Sequence, residues 1–231
     1  MNRTILFFTA LLFAVSVFGQ EEEKVKSSFF FNEFSISLNR TNVLASGGEN
    51  RLGCGAGMYR SFVLVGQLDF VFGMEYNYTS LFVEEIFYGQ ASYEKDMTFR
   101  IHTVSFPLDL RFSMGKNTKF FIESGIFLDI PVASQKKGYR RVGDMGSHPL
   151  YPGTWPIYKN VKVKERAGIS GIDYGPSFGM GVRIPTKRLE WIVKADYKMG
   201  LNTLHTNGYG FHHHYYRLSV GIRTITSKTQ S

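Results

Sequence analysis

Cysteine is nearly absent: Cys54 is the only one in 231 residues. That excludes an intramolecular disulfide framework and any zinc cluster built on cysteine. Cys54 does not follow directly on the apolar N-terminus, so a lipid-modified N-terminus is not expected either. Long hydrophobic runs are equally scarce. A membrane-crossing helix needs about 20 apolar residues, and nothing after the N-terminal run approaches that length. No nucleophile, metal-ligand or phosphate-loop motif stands out, so neither a catalytic site, a metal site nor a cofactor is expected.

The N-terminal run itself is ILFFTALLFAVSVFG, residues 5–19, behind a single early Arg3. An early positive charge, about 15 apolar residues and small residues at the end describe a secretory leader, with cleavage expected after Gly19. The chain would then be organised as a signal peptide, 1–19, and one domain, 20–231. Removing the leader takes away Arg3 alone and lowers the formal net charge from +8 to +7. A chain of the remaining size fits a single all-β domain.

Period two runs through most of that domain. In 104–112, Val104, Phe106, Leu108, Leu110 and Phe112 alternate with Ser105, Pro107, Asp109 and Arg111. Beyond the turn Gly115-Lys116-Asn117-Thr118, the segment 120–130 alternates again and makes a hairpin with the first. Segments 67–78, 172–184, 190–201 and the strand through Tyr216–Ile222 repeat the pattern, and 29–38 and 52–62 follow it more loosely. Eight strands of roughly ten residues suit tilted bilayer crossings. Short connections near 63–66, 114–118 and 185–188 alternate with long polar ones near 40–50, 79–98, 133–168 and 203–213. The expected fold is therefore all-β: an eight-stranded antiparallel up-and-down transmembrane β-barrel. The rival is a soluble secreted ligand-binding barrel with its large side chains turned inward. Glycines on the polar parity and aromatic residues toward strand ends (Tyr76, Tyr78, Trp191, Tyr215, Tyr216) favour the membrane wall.

With strands placed, the chain resembles the PorT-like outer-membrane β-barrel family of the Bacteroidota. The resemblance rests on VSFPLDLRF turning through GKNTKF into FIESGIFLDI, on GAGMYRSF with LDFVFGMEYNYTS, and on GIDYGPSFGMGVRI. The leader's Phe18-Gly19-Gln20 ending is typical of the same group. The resemblance implies an outer-membrane barrel. It does not imply one function, since the family includes a secretion-system component beside barrels of other roles.

The polar parity places an ionisable set in the lumen: Glu33, Asp69, Glu75, Asp109, Arg111, Glu123, Asp129, Asp173, Arg183, Glu190, Lys194, Asp196, Lys198, Arg217 and Arg223. Nine carboxylates face six cations, three acids in excess. An eight-stranded barrel is just wide enough for side chains to fill it, and unpaired buried charge is costly. The set is expected to form a paired, plugged lumen; a proton or ion path or an acid/base site is the functional alternative. His102 with Ser105 or Glu75 is the one imaginable constellation for a lipid-modifying enzyme. His212, His213 and His214 alternate across a strand and suit solvated loop positions better than a metal site. Segment 133–168 carries eight cations against Asp144 and Glu165, +6 in all. Exposed outside the cell, it would meet phosphates of lipopolysaccharide, acidic polysaccharide or a protein partner. Outer-membrane lipid, lipopolysaccharide and other envelope or secretion proteins are thus the expected partners, and nucleic acid is not. The expected function is that of a non-enzymatic barrel with outward segments for interaction; a secretion-system component is the alternative.

Overall fold

The structure, a computed structural model, describes residues 30–43, 48–87, 93–148, 151–169, 171–186, 189–206 and 209–224. The expected leader, 1–19, lies outside them. Ten strands are described: β1 (Glu33–Val43), β2 (Gly48–Asn50), β3 (Leu52–Val65), β4 (Leu68–Phe87), β5 (Tyr93–Met114), β6 (Lys119–His148), β7 (Tyr151–Arg166), β8 (Asp173–Pro185), β9 (Leu189–Thr206) and β10 (Tyr209–Thr224). Eight close a ring. Each of β3, β4, β5 and β6 pairs antiparallel with the next, β6 continues to β8, then β9 and β10, and β1 joins β10 to β3. Closure leaves the wall no free edge. Strand β2 pairs outside the ring with β4, and β7 with the far half of β6.

Side-chain alternation sorts the two faces of this wall. Ile36, Leu38, Phe112, Phe120, Ile122, Ile126, Phe178, Met180 and Leu218 stand on the outer face, each 40% exposed or more. Apolar area on that scale has no place in water; it fits a lipid-facing band and removes the soluble-barrel alternative. Trp191, Tyr76 and Tyr216 also face out. Tyr215 does not. Although it was expected in the aromatic girdle, it is fully buried in the lumen, because its parity is that of Arg217 and Ser219.

The inner face is crowded, and glycine makes room for it. A Cβ on Gly57 or Gly73 would run into the Tyr59 ring, and one on Gly181 into Phe121. At the tight β5–β6 turn, Gly115 adopts a φ of 110°, which strongly favours glycine.

The long connections expected at 79–98 and 133–168 are mostly strand. Pairing of β4 with β5 continues out to Phe87 and Tyr93, and β6 and β7 form a long hairpin. Along these extensions the pattern inverts. Leu81, Val83, Met97, Phe99 and Ile101 now point inward and are buried, while Glu84 and Arg100 face solvent. With Ile86, Ala167 and Leu204 they form one apolar cluster across the hairpin end of the lumen. Burying each large side chain contributes about 1.5–3 kcal/mol. Ala167 N donates to the Ser134 carbonyl at 3.2 Å, which holds the chain after β7 over this cluster.

Candidate functional site

Along β4 the lumen changes character from the turn end outward: Asp69 and Glu75, then Asn77 and Thr79, then Leu81 and Val83. The charged stratum holds all the ionisable positions expected from the sequence. Asp69, Glu75, Asp109, Arg111, Glu123, Asp129, Asp173, Arg183, Lys194, Asp196 and Arg217 are buried, and Arg223 is half-buried at the mouth.

Nine of the ionisable groups join in strict alternation of sign. Arg223 approaches Glu33 at 3.7 Å, and Glu33 receives both terminal nitrogens of Arg111 at 2.8 and 3.0 Å. Arg111 Nε donates to Glu123, whose other oxygen accepts from Lys194 at 2.9 Å. Lys194 lies 3.9 Å from Asp196, and Asp196 is bound by Arg217 at 3.0 Å. Arg217 reaches Glu75 at 2.5 Å, and Glu75 ends the chain on Lys198 at 2.6 Å. A second group closes the turn end: Arg183 binds Asp69 at 3.1 Å, and Arg183, Arg223 and Lys119 surround Glu190 at 3.8–3.9 Å. Charge-assisted hydrogen bonds repay the desolvation that burial of such ions costs.

The excess of acids has an address. Six lumen cations are matched by Glu33, Asp69, Glu75, Glu123, Glu190 and Asp196. Asp109, Asp129 and Asp173 are the three left over. Among the described residues no cation lies within ion-pair distance of them. Asp109 accepts from Ser177 Oγ at 2.6 Å and Asp129 from the Tyr215 hydroxyl at 3.1 Å. Asp173 accepts the backbone N–H groups of Tyr174 and Asn202 at 2.9 and 3.2 Å.

The imagined enzyme constellation is not assembled. His102 stands on the outer parity of β5 and hydrogen-bonds Tyr76. Ser105 and Glu75 lie on the other side of the wall, bound to Lys198. His214 corrects the expectation of a solvated histidine: it is buried and bonded through Nδ1 to the Tyr197 hydroxyl at 2.8 Å. The side chains of His212 and His213 lie outside the described residues. Among the described residues no cluster of three or more histidine, cysteine or carboxylate side chains is placed to hold a metal.

The β6–β7 hairpin gives segment 133–168 a definite shape with two unlike faces. On one, Lys136 bonds Glu94 at 2.8 Å and Glu165 at 3.1 Å, and Arg140 bonds Glu94 at 2.7 Å and also Glu165. Burial alone would raise the Glu165 carboxyl, but the hydrogen bonds and charges of Lys136 and Arg140 hold it below its ordinary value. Among the described residues the other face carries no acid. There the register sets Lys137 opposite Lys164, Tyr139 opposite Lys162 and Gln135 opposite Arg166, and Arg141 lies 4.0 Å from the centre of the Tyr158 ring. Sequence counting found the +6 of this segment but not its segregation, which only the strand pairing produces.

The model of the family described as outer membrane protein beta-barrel domain matches residues 22–206. The search against curated proteins gives no match. Among solved structures the chain is similar to Neisserial surface protein A, at 11% identity over 84% of this chain and 95% of that one, with a TM-score of 0.45. It is similar to a major outer membrane protein from Thermus thermophilus at 10% identity, 84% and 99% coverage and a TM-score of 0.40. The outer membrane enzyme PagL shows 17% identity, 81% and 97% coverage and a TM-score of 0.37. The chain belongs to the outer membrane protein beta-barrel domain family, and the outer membrane is its location.

Proposed function

We propose that this protein is a non-enzymatic outer-membrane barrel that binds polyanionic saccharide through the basic face of the β6–β7 hairpin. Short turns of such barrels face the periplasm and the long extensions face outward, which puts this hairpin outside the cell. The observation that carries the reading is the sorting of charge between its two faces. The acids Glu94 and Glu165 serve Lys136 and Arg140 on one side. On the other, Lys137, Lys162, Lys164 and Arg166 are exposed, and among the described residues no carboxylate lies within ion-pair distance of them. Like charges directly opposite across a ladder are destabilising, so the arrangement favours a ligand that supplies the missing anions. Tyr139 and Tyr158, both at least 40% exposed, add flat surfaces for sugar rings between the cations.

The test is binding of heparin, as a sulfated glycan, and of phosphorylated lipopolysaccharide core oligosaccharide to the full chain in detergent. The Lys137→Gln/Lys162→Gln/Lys164→Gln variant should lose at least about tenfold in affinity, and wild-type binding should weaken steeply with salt. Equal binding by both proteins, or none by either, would overturn the reading. Which probe responds distinguishes a foreign glycan from the cell's own surface. The PorT-like resemblance supports a second reading, a secretion-system component that uses the same hairpin on a protein partner. A deletion strain that secretes normally would dismiss it.

A further inference from the structure

We propose that the outer half of the wall between β1 and β8 carries a fixed site for one phosphate-bearing glycolipid of the outer leaflet. The site begins with a gap in the lipid-facing surface. One row across the strands reads Leu38, Leu218, Ala195 and Met180; the next row outward reads Arg40, Tyr216, Tyr197 and Phe178. Ala195 is the smallest of these side chains and forms the floor of a groove of about 570 Å³. Met180 and Phe178 bound it on one side, Leu38 and Leu52 on the other. Above the floor, the rings of Tyr197 and Tyr216 lie against each other with centroids 4.8 Å apart and planes tilted by 32°. Almost all of its exposed lining is apolar, as a hydrocarbon chain requires.

Arg40 supplies the polar end. It lines the same groove, is exposed on the outer parity of β1, and stands three residues short of the outward end at Val43. Among the described residues no carboxylate lies within ion-pair distance of it. A guanidinium on the lipid face is costly unless it reaches the interface and an anion. The paired tyrosines at its level mark the interfacial zone, where amphipathic rings settle. A planar fork of donors fits a phosphate. An acyl chain over Ala195 with its phosphate on Arg40 satisfies the apolar groove and the unpaired cation together. A second copy of this chain packed groove to groove would satisfy only the groove, because among the described residues the outer face near it offers Arg40 no carboxylate.

The experiment is native mass spectrometry of the full chain reconstituted with bisphosphorylated lipid A and, separately, with phosphatidylethanolamine. Wild type should keep one lipid A at detergent levels that strip the rest. Arg40→Gln and Ala195→Phe, the second filling the groove, should each lower that occupancy at least fivefold while heat-modifiable gel migration reports an intact barrel. Arg100→Gln, a cation on the solvent-facing extension of β5, should change nothing. Neither should the Lys137/Lys162/Lys164 variant, so that failure here is separable from failure of hairpin binding. Occupancy equal in wild type and both groove variants would overturn the site. So would retention of phosphatidylethanolamine in place of lipid A, or a dimer of the chain without lipid.

Discussion

Arg111 of β5 clasps Glu33 of β1 through both terminal nitrogens, at 2.8 and 3.0 Å. These strands share no backbone ladder, since β1 pairs with β3 and β10 while β5 pairs with β4 and β6. The lumen charges therefore brace the ring across its width. Arg111→Leu leaves Glu33 with only the distant Arg223 and strips Glu123 of one of its two cations. Removing one partner of a buried pair costs about 3–5 kcal/mol. Urea unfolding of the barrel in detergent should show a loss of that order, and a loss below about 1 kcal/mol would contradict the bracing role.

Unequal responses are expected from two acids of the same lumen. Asp109→Asn keeps an acceptor for Ser177 Oγ and strands no cation, so its effect should stay within the net worth of a hydrogen bond, about 0.5–1.5 kcal/mol. Glu75→Gln leaves Lys198 and Arg217 without their shared anion and should cost about 3 kcal/mol or more. Equal losses in the two variants would show that pairing does not set their roles.

Among the described residues the lumen carries a chain of ion pairs and, beyond it, the apolar cluster of Leu81, Phe99 and Leu204, an arrangement expected to block ion flow. In planar bilayers the purified protein should give no steady porin-sized conductance. A stable open channel at modest voltage would refute the plug.

The hairpin should be sensitive to acid in one direction only. Glu165 is held below the ordinary carboxylate value in the folded hairpin. A lowered folded value contributes stability that is present above the unfolded value, about 4.3, and is lost as pH falls through the folded value. Protease resistance of the hairpin in intact membranes should be flat from neutrality to about pH 5 and should fall only below about pH 4. Loss already at pH 6 would show that these ion pairs do not hold it. Glu165 and Arg140 are partly exposed, so the effect will be modest and will shrink with salt.

Cys54 is a built-in reporter of which face meets lipid. It is exposed on the outer parity of β3, between Leu52 and Ala56. In membranes, a lipid-soluble maleimide should label it and a large charged one should not. The reverse outcome would place this face in water.

How much of this was legible depended on whether a signal needed a direction. Alternation of Val104, Phe106, Leu108 and Leu110 with Ser105, Asp109 and Arg111 specifies a strand and two unlike faces, because successive side chains of a strand must point opposite ways. The same parity brings Asp109, Arg111, Glu123 and Asp129 to one face without any coordinates. Past Tyr78 the alternation continues through Leu81, Val83, Met97, Phe99 and Ile101, but its sense reverses, with apolar residues inward. Counted as polarity, that stretch reads as loop. Read as period, it is strand leaving the membrane.

The linear order thus determined the membrane-crossing strands, their two unlike faces and the three-acid excess on the polar one, since each follows from alternation between neighbouring residues. Partner choice belongs to the tertiary structure. Ring closure brings Arg111 to Glu33, 78 residues away, and Lys198 to Glu75, 123 residues away. Side-chain reach across a narrow lumen selects which carboxylates receive a cation and leaves Asp109, Asp129 and Asp173 with hydroxyl or backbone donors instead. Strand register likewise sorts the hairpin's charges into a neutralised face and a bare one, and it hollows the wall over Ala195 beside Arg40.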